Sequence, residues 1–263
     1  MKEKKSILLI GPFPEPVSGV SLANQVVKDI LREDSCFEVD LINTSYSKFD
    51  EKLGEFTIKK FFFYLYQSFK FIKIFNNRII YITPGQTFYG VLKYAFFIIL
   101  SSILKKELII HVHGNYLRQE YNSLKGIQRC VFYFLVSRFT KGIVLSNSLK
   151  ENLTPFIDKR KIFCLPNFAQ DYLYGEEKKL VNDELRIFYL SNLMKEKGII
   201  CLLKALKNLE VRSIMYKAKI AGNIDEKFAK EIFKLLNQLE HTDYIGIVNG
   251  EAKKNLLGWG NVF

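Results

Sequence analysis

The sequence has only four cysteines, and they lie far apart at Cys36, Cys130, Cys164 and Cys201. They form no C-x-x-C pair and no Cys/His cluster, so nothing indicates a disulfide framework or a zinc site. Thiols spaced in this way are typical of reduced cytosolic proteins. We therefore expect a cytoplasmic chain without a bound metal.

Long apolar runs are also missing. The run at residues 7–10 is closed by Gly11-Pro12 and is too short for the core of a signal peptide, so it predicts the first strand. Residues 88–104 are apolar but include Lys93 and two serines, and a bilayer span needs about 20 residues. We predict a buried crossover helix there and disfavour a membrane span.

Acidic residues are absent between residues 56 and 106, although the whole chain has 27. That segment is rich in aromatic residues and carries eight of the basic ones: Lys59, Lys60, Lys70, Lys73, Arg78, Lys93, Lys105 and Lys106. Such a distribution, within a net charge of +12, suits an anionic membrane surface or single-stranded nucleic acid. No helix-turn-helix, OB or RRM pattern accompanies it, so we expect no nucleic-acid partner.

Residues 58–75 predict a helix with a narrow polar stripe. At 100° per residue, Lys59, Lys70, Lys73 and Asn77 fall on one side and the rest of the circumference is apolar. Two interpretations remain open. The stripe meets lipid headgroups, or the helix is simply buried and its lysines are solvated.

What the chain does have is a repeated alternation of short apolar runs and helical patterns, which is typical of parallel sheets buried on both faces. The helical patterns include residues 22–31, 126–139 and 225–239. The predicted strands are residues 6–10, 37–42, 78–82, 107–112, 142–145, 162–165, 185–190, 217–221 and 244–248, and residues 259–263 look like the start of another.

Residues 185–206 predict a strand, a polar turn and a helix that begins at Gly198. The amino end of a helix attracts anions, and Lys195 and Lys197 precede it, so a phosphate or diphosphate is the expected ligand. Lys197 is the better placed of the two. The alternative is an ordinary turn with solvated lysines.

The loop around Ser18 and Gly19 precedes another predicted helix and would let the backbone approach a ligand. A Pro-rich connector is the alternative. The loop is not G-x-G-x-x-G, which argues against a nicotinamide cofactor.

His113 follows a predicted strand at its carboxyl end, where ligands bind in open α/β sheets. We expect His111 to point to the opposite face, which disfavours a metal shared by the two imidazoles, and we interpret His111 as structural. Arg118 is either a further anion contact or a surface residue.

Several of these motifs, taken in order, resemble family 4 glycosyltransferases. They are S-N-L…K-G at residues 191–198, H-x-H-G…R at 111–118, S-x-S-x-K at 146–150 and P-N at 166–167. The resemblance implies an α/β, GT-B-like fold of two Rossmann-like parallel-sheet domains, the second incomplete. It places an acceptor-side domain at residues 1–170, a linker at 171–184 and a partial nucleotide-sugar-binding domain at 185–263.

The resemblance also implies retaining transfer of a sugar from a nucleotide-diphosphate sugar to a cell-surface polysaccharide or a lipid-linked glycan, with no cofactor and no metal. His113 and Lys197 would be catalytic, and Arg118 would contact the acceptor or an anion. Asn192 stands where the family has an arginine. The residues expected to bind the donor are Ser18, Gly19, Asn192, Lys197, Gly222 and Val248.

The family continues beyond the last predicted strand with paired glutamates and a returning helix, and this sequence has neither. We therefore expect a truncated chain with weak or absent activity, or a partner chain that covers the open second domain. The other expected partners are the nucleotide sugar, the glycan or lipid-linked acceptor, and the anionic surface of a membrane. The protein would be peripheral on the inner face of that membrane. A non-catalytic membrane- or partner-binding module derived from a glycosyltransferase is the alternative.

Overall fold

The computed structural model of the chain describes residues 4–15, 17–45, 69–169, 171–173, 184–224 and 226–263. The chain divides into two compact units, Met1–Asn167 and Phe168–Phe263. Each unit contains its own parallel sheet. In the described part of the chain, no helix is long and apolar enough to cross a membrane.

The first unit is built on six parallel strands in the order β2-β1-β3-β4-β5-β6. Their Ile, Val and Leu side chains alternate between two covered faces, as buried parallel strands require. The strands are β1 Lys5–Gly11, β2 Phe37–Asn43, β3 Ile79–Ile82, β4 Glu107–Val112, β5 Lys141–Val144 and β6 Ile162–Cys164. All six predicted strands of this unit are confirmed within one or two residues.

The described helices of this unit connect those strands. They are α1 Gly19–Glu33, α2 Ile72–Asn76, α3 Phe88–Leu92, α4 Ala95–Ile103, α5 Leu117–Ser123 and α6 Gly126–Val136. The single helix predicted for residues 88–104 is wrong, because a turn at Lys93 and Tyr94 divides the segment into two helices, α3 and α4. Tyr94 is fully buried there, and its hydroxyl lies 2.8 Å from Oγ1 of Thr44.

The predicted lysine stripe is only partly described, since residues 58–68 and with them Lys59 lie outside the described ranges. Asn77 is 2% exposed and donates hydrogen bonds to Oδ2 of Asp40 at 2.9 Å and to the carbonyl of Lys73. Nζ of Lys73 lies 3.5 Å from Oδ1 of the same carboxylate. The prediction that Asn77 belongs to an outward stripe is therefore wrong, because Asn77 is buried against Asp40 on β2. The Lys73 side chain is 43% exposed and pairs with the same carboxylate.

In its described residues, the second unit has three parallel strands, in the order β7-β8-β9, and three α-helices. Val262 forms a parallel bridge with Ile187 of β7, in agreement with a further strand predicted at the end of the sequence. The elements are β7 Leu185–Leu190, α7 Ile199–Val211, β8 Tyr216–Ala221, α8 Glu226–Leu236, β9 Thr242–Tyr244 and α9 Gly250–Trp259.

The strand predicted at residues 244–248 is displaced, because β9 ends at Tyr244. Gly246 follows with a φ of +72°, a left-handed conformation that does not continue an extended strand. The segment from Gly250 forms α9. Of the predicted linker, residues 174–183 lie outside the described ranges.

Candidate functional site

At the carboxyl ends of β1 and β3, neighbouring side chains leave room only for a glycine at position 11. A Cβ there would lie 2.0 Å from Oγ1 of Thr83 and 2.7 Å from Nδ2 of Asn24. Nδ2 of Asn24, on α1, donates to Thr83 at 2.7 Å and to the carbonyl of Pro12 at 2.8 Å. These contacts fasten the first helix to the edge of the sheet where ligands bind in open α/β folds.

Ser18 is the N-cap residue of α1, and its side chain is hydrogen-bonded to the helix. Its Oγ accepts a hydrogen bond from the amide of Ser21 at 3.1 Å, and its own amide donates to Oγ of Ser21 at 2.7 Å. This capping box explains why the helix begins at Gly19, three residues earlier than predicted. A Cβ on Gly19 would meet nothing within 4 Å, so a ligand could approach the backbone there.

His111 and His113 lie side by side, which makes the opposite-face prediction wrong. Their ring centroids are 4.0 Å apart with an interplanar angle of 37°. The physical reason is the alternation of a strand, because side chains two residues apart point to the same face. Nδ1 of His111 is hydrogen-bonded to the hydroxyl of buried Tyr81.

Both imidazoles are neutral at physiological pH. Burial lowers the pKa of His111 to about 3, with a smaller contribution from the neighbouring His113, and burial lowers the pKa of His113 to about 4. In the described part of the chain, the Nε2 atoms of both rings and Oδ1 of Asn24 are buried without a hydrogen-bond partner. Neutral rings offer no positive charge to a phosphate, and buried atoms without a partner favour a small neutral polar group such as a hydroxyl or a water molecule.

This neutral pair makes the stability of the first unit sensitive to mild acid. Unfolded histidine has a pKa near 6.5, so below that pH the unfolded state binds protons that the folded state refuses, and stability falls as pH falls. Each histidine should cost about 1.5 kcal/mol between pH 6.5 and pH 5. Urea unfolding followed by circular dichroism at the two pH values measures the loss.

The matched variants are a double change, His111→Gln with His113→Gln, and His241→Gln in the second unit, where the third histidine is exposed. The double variant should lose most of the difference between the two pH values. The His241 variant should keep it. Equal pH dependence in the wild type and the double variant would show that the pair is not held neutral.

Gln86 fixes the turn that carries His113. Its Oε1 accepts from the amides of Tyr116 at 2.7 Å and Leu117 at 3.1 Å, and its Nε2 donates to the carbonyl of His113 at 3.2 Å. Gly114 has a φ of +145°, and a Cβ there would lie 2.3 Å from Nε2 of Gln86. Sequence reasoning missed Gln86, whose only signal is its place in the loop after a predicted strand.

Arg118 is held by a carboxylate of its own unit. Nη1 lies 2.7 Å from Oε2 of Glu151, and about half of each side chain is exposed. The arginine therefore has to share or leave this ion pair if it is to contact an anionic ligand. Its assignment as an acceptor or anion contact stays a prediction.

In the second unit, the predicted diphosphate turn lies between β7 and α7. Lys195–Lys197 form one turn of 3-10 helix, and Gly198, with a φ of +80°, precedes the first residue of α7. No side chain in the described part of the chain caps the amino end of this helix. Lys195, Lys197 and Asn192 are all exposed.

The hydroxyl of Tyr189 forms hydrogen bonds with the backbone of this turn. It lies 3.1 Å from the carbonyl of Asn192 and 3.3 Å from the carbonyl of Lys197. The structure thus brings together two of the residues predicted to bind a donor, through a tyrosine that the sequence did not single out. A tyrosine at the end of a strand is too common to have served as a signal.

Gly222, also predicted to bind the donor, lies beside the same turn. It has a φ of +144°, and a Cβ there would lie 1.8 Å from the carbonyl oxygen of Ser191. Its own carbonyl accepts a hydrogen bond from the hydroxyl of Tyr244 at 2.9 Å. Val248 lies further along, packed against a small apolar cluster that contains Phe188. In the described residues no group of three His, Cys, Asp or Glu side chains could hold a metal.

The sequence matches no known family profile and no curated protein. Solved structures, however, resemble the chain at low identity. The UDP-GlcNAc 2-epimerase of Neisseria meningitidis, bound to UDP-GlcNAc, aligns with a TM-score of 0.61 and 12% identity over 97% of this chain and 76% of that one. The catalytic domain of starch synthase IV of Arabidopsis thaliana, bound to ADP and acarbose, aligns with a TM-score of 0.64 and 8% identity over 99% and 78%.

The apo form of WaaB, a lipopolysaccharide outer core galactosyltransferase, aligns with a TM-score of 0.53 and 14% identity over 94% of this chain and 70% of that one. At these identities the likeness shows the fold alone. The chain has an α/β fold of the GT-B type, with two Rossmann-like parallel-sheet units, as predicted. Membership of glycosyltransferase family 4 stays a prediction.

Proposed function

We propose that the chain is a glycosyltransferase that takes a sugar from a nucleotide-diphosphate sugar and transfers it with retention of configuration. The observation that carries the proposal is the turn between β7 and α7. There a 13-residue helix begins without a side-chain cap, directly after exposed Lys195 and Lys197. Backbone amides and ammonium groups combined in this way suit the two phosphates of an activated sugar.

The fold neighbours support the class of ligand. The Neisseria epimerase was solved with UDP-GlcNAc, and the starch synthase domain was solved with ADP. Both ligands contain a nucleoside diphosphate. The same chemistry is proposed for this chain, with Lys197 contacting the diphosphate and Asn192, Gly222 and Val248 lining the donor site through their backbone or side chains.

In the first unit, the neutral His113 is proposed to orient a sugar hydroxyl of the donor or the acceptor. Ser18 and Gly19 would present backbone groups at the start of α1, and Arg118 would contact an anionic group. The acceptor is proposed to be a cell-surface polysaccharide or a lipid-linked glycan. The site would lie in the cytoplasm, with the protein peripheral on the inner face of the membrane.

The reaction needs no group beyond those already described. The bond between the anomeric carbon and the diphosphate oxygen breaks while Lys197 and the amides of α7 stabilise the departing charge. The acceptor hydroxyl forms its new bond on the face that the diphosphate leaves, and its proton passes to the departing phosphate oxygen. No cofactor or metal is part of this proposal.

The test is calorimetric titration of the full chain with UDP, ADP, UMP and pyrophosphate. We expect one of the diphosphates to bind at least ten times more tightly than its monophosphate, because a second phosphate adds charge-assisted hydrogen bonds worth about 1.5–3 kcal/mol. With AMP as the partner of ADP, equal affinity for the diphosphate and the monophosphate in both pairs, or no binding of any nucleotide, would remove the basis of the proposal.

Product analysis then separates three outcomes for a nucleotide sugar that binds. Glycan extension or slow release of free sugar supports transfer. Recovery of an isomerised nucleotide sugar supports an epimerase, the activity named for one of the fold neighbours. Binding without any turnover supports the alternative of a non-catalytic module, or a chain that needs a partner to complete its second unit.

A further inference from the structure

We propose that one surface of the first unit binds an anionic lipid bilayer: the groove at the amino ends of its strands together with the adjoining outer faces of α2 and α4. The groove lies at the opposite edge of the sheet from His113. The inference rests on the membrane location in the proposed function and names the surface that makes the contact, and it can be tested without a nucleotide or a transfer.

The groove has a volume of about 620 Å³ and a strongly basic lining. Among the described residues that line it, the one carboxylate is that of Glu107, which pairs with Nζ of Lys141. Nζ of Lys106 donates to the carbonyl of Phe75 at 2.9 Å. The three remaining cations of the lining are exposed: Arg78, Lys105 and Lys161.

These three cations come from distant parts of the sequence and meet because parallel strands start at the same edge. Arg78 directly precedes β3, Lys105 precedes β4, and Lys161 precedes β6. In the described part of the chain, no carboxylate forms an ion pair with any of them. The edge therefore keeps a local excess of positive charge that a phosphate-rich surface can neutralise.

Exposed apolar side chains border this groove on one side. Phe75 lines the groove itself, and Ile103 lies two residues before Lys105. The rings of Phe75 and Phe96 both contact Phe71, with centroid distances of 6.3 Å and 5.6 Å, which joins α2 to α4. The exposed members and their exposed fractions are Ile72 64%, Phe75 51%, Phe96 46%, Ile99 38% and Ile103 70%.

The chemistry of this surface favours a bilayer over other polyanions. Lysine and arginine can reach lipid phosphates while neighbouring apolar side chains enter the acyl boundary. Three of the five exposed apolar residues are isoleucines, Ile72, Ile99 and Ile103, which offer no ring for a nucleic-acid base to stack on. Exposed apolar side chains beside a basic groove thus complement an anionic membrane in both charge and polarity.

The surface differs from the stripe predicted from the sequence. Lys73 and Asn77 face Asp40 and are not part of it. Of the eight basic residues between 56 and 106, it is Arg78 and Lys105 that lie exposed in the groove, and Lys161 joins them from outside that segment. A helical wheel could not show this, because the three positions meet only in the folded sheet.

The experiment is co-sedimentation of the full chain with vesicles of phosphatidylglycerol and phosphatidylcholine, and with vesicles of phosphatidylcholine alone. The basic variant is Arg78→Gln with Lys105→Gln and Lys161→Gln. It should bind the anionic vesicles 10- to 100-fold more weakly than the wild type, since each cation near the surface contributes to partitioning. Raising the salt concentration should weaken the wild type in the same direction.

The matched control removes the same charge from the second unit, where Lys204, Lys230 and Lys234 are also exposed. The variant Lys204→Gln with Lys230→Gln and Lys234→Gln should bind vesicles like the wild type. A second test variant, Ile72→Ser with Ile103→Ser, keeps all charges and should also lose vesicle binding. Both isoleucines are largely exposed, so the fold should persist, as circular dichroism can verify.

Three results would overturn the inference. They are equal binding to neutral and anionic vesicles, an equal loss in the control variant, and tighter binding of a single-stranded oligonucleotide than of anionic vesicles. A UDP titration of the basic variant keeps this inference separate from the proposed function. Normal UDP affinity of the basic variant together with lost vesicle binding supports the lipid surface, whereas vesicle binding by the wild type without UDP affinity would count against the donor site only.

Discussion

Replacing Lys197 with alanine should weaken the binding of a nucleoside diphosphate by roughly 10- to 100-fold, the effect of losing one charge-assisted hydrogen bond. Lys197 is the last residue before Gly198, and its carbonyl is held 3.3 Å from the hydroxyl of Tyr189. Its backbone is therefore fixed at the start of α7 while its side chain remains exposed. Calorimetric titration with UDP measures the loss.

Two further variants make the result specific. Lys204 is exposed on α7, seven residues or about two turns after Lys197, so Lys204→Ala removes the same charge without touching the amino end of the helix. It should change the affinity by less than twofold. Lys195→Ala should have an effect between the two, because Lys195 precedes the helix by one turn of 3-10 helix.

The thermal midpoints of all three variants should match that of the wild type, since exposed lysines contribute little to stability. An unchanged affinity in the Lys197 variant would remove this residue from the donor site. A larger loss for Lys195→Ala than for Lys197→Ala would reverse their roles and leave the turn itself as the binding element.

The elements around this turn were predictable because their signals are local. Six consecutive residues of β7 favour a strand, the polar segment after it cannot continue one, and Gly198 precedes a run whose apolar residues recur at helical spacing. The strands of the first unit were found for the same reason. In most of them, aliphatic side chains dominate a short apolar run next to a polar or glycine-containing segment.

The residues that position the site were not predictable, because their partners are distant in sequence. Asn24 bonds to Thr83, 59 residues away, and Gln86 bonds to Tyr116, 30 residues away. Neither side chain belongs to a motif, and each gains its role only when strand ends meet at one edge of the sheet. Asn77 was misassigned for the same reason, since its partner Asp40 is 37 residues away.

The wrong prediction for His111 and His113 has a different origin. The alternation of a strand already places residues two apart on the same face, so their contact follows from the sequence alone. What the sequence could not supply is the hydroxyl of Tyr81, on the neighbouring strand β3, which bonds to His111. The burial of both rings is what lowers their pKa values and keeps the pair neutral.

Replacing Gly222 with alanine should destabilise the second unit by roughly 3–5 kcal/mol, through backbone strain and a steric clash that add together. A Cβ at this position would lie 1.8 Å from the carbonyl oxygen of Ser191, and the φ of +144° is one that L side chains rarely adopt. Ser191 cannot move aside easily, because its amide donates to Ala221 at 3.1 Å within the paired strands. Urea unfolding measures the loss, and Trp259 on α9, the one tryptophan of the chain, provides a fluorescence signal from this unit.

Gly258→Ala is the matched control, since a Cβ there meets nothing within 4 Å and the residue lies in α9. It should leave stability unchanged or raise it by up to about 1 kcal/mol, the helix propensity of alanine over glycine. Comparing the two variants also shows whether Gly222 is needed for packing or for ligand binding. A loss of stability well above that of the control would assign the glycine to the close approach of β7 and β8, and any loss of UDP affinity would follow from the displaced turn. If the Gly222→Ala variant kept wild-type stability but lost UDP affinity, the ligand would occupy the space beside Gly222.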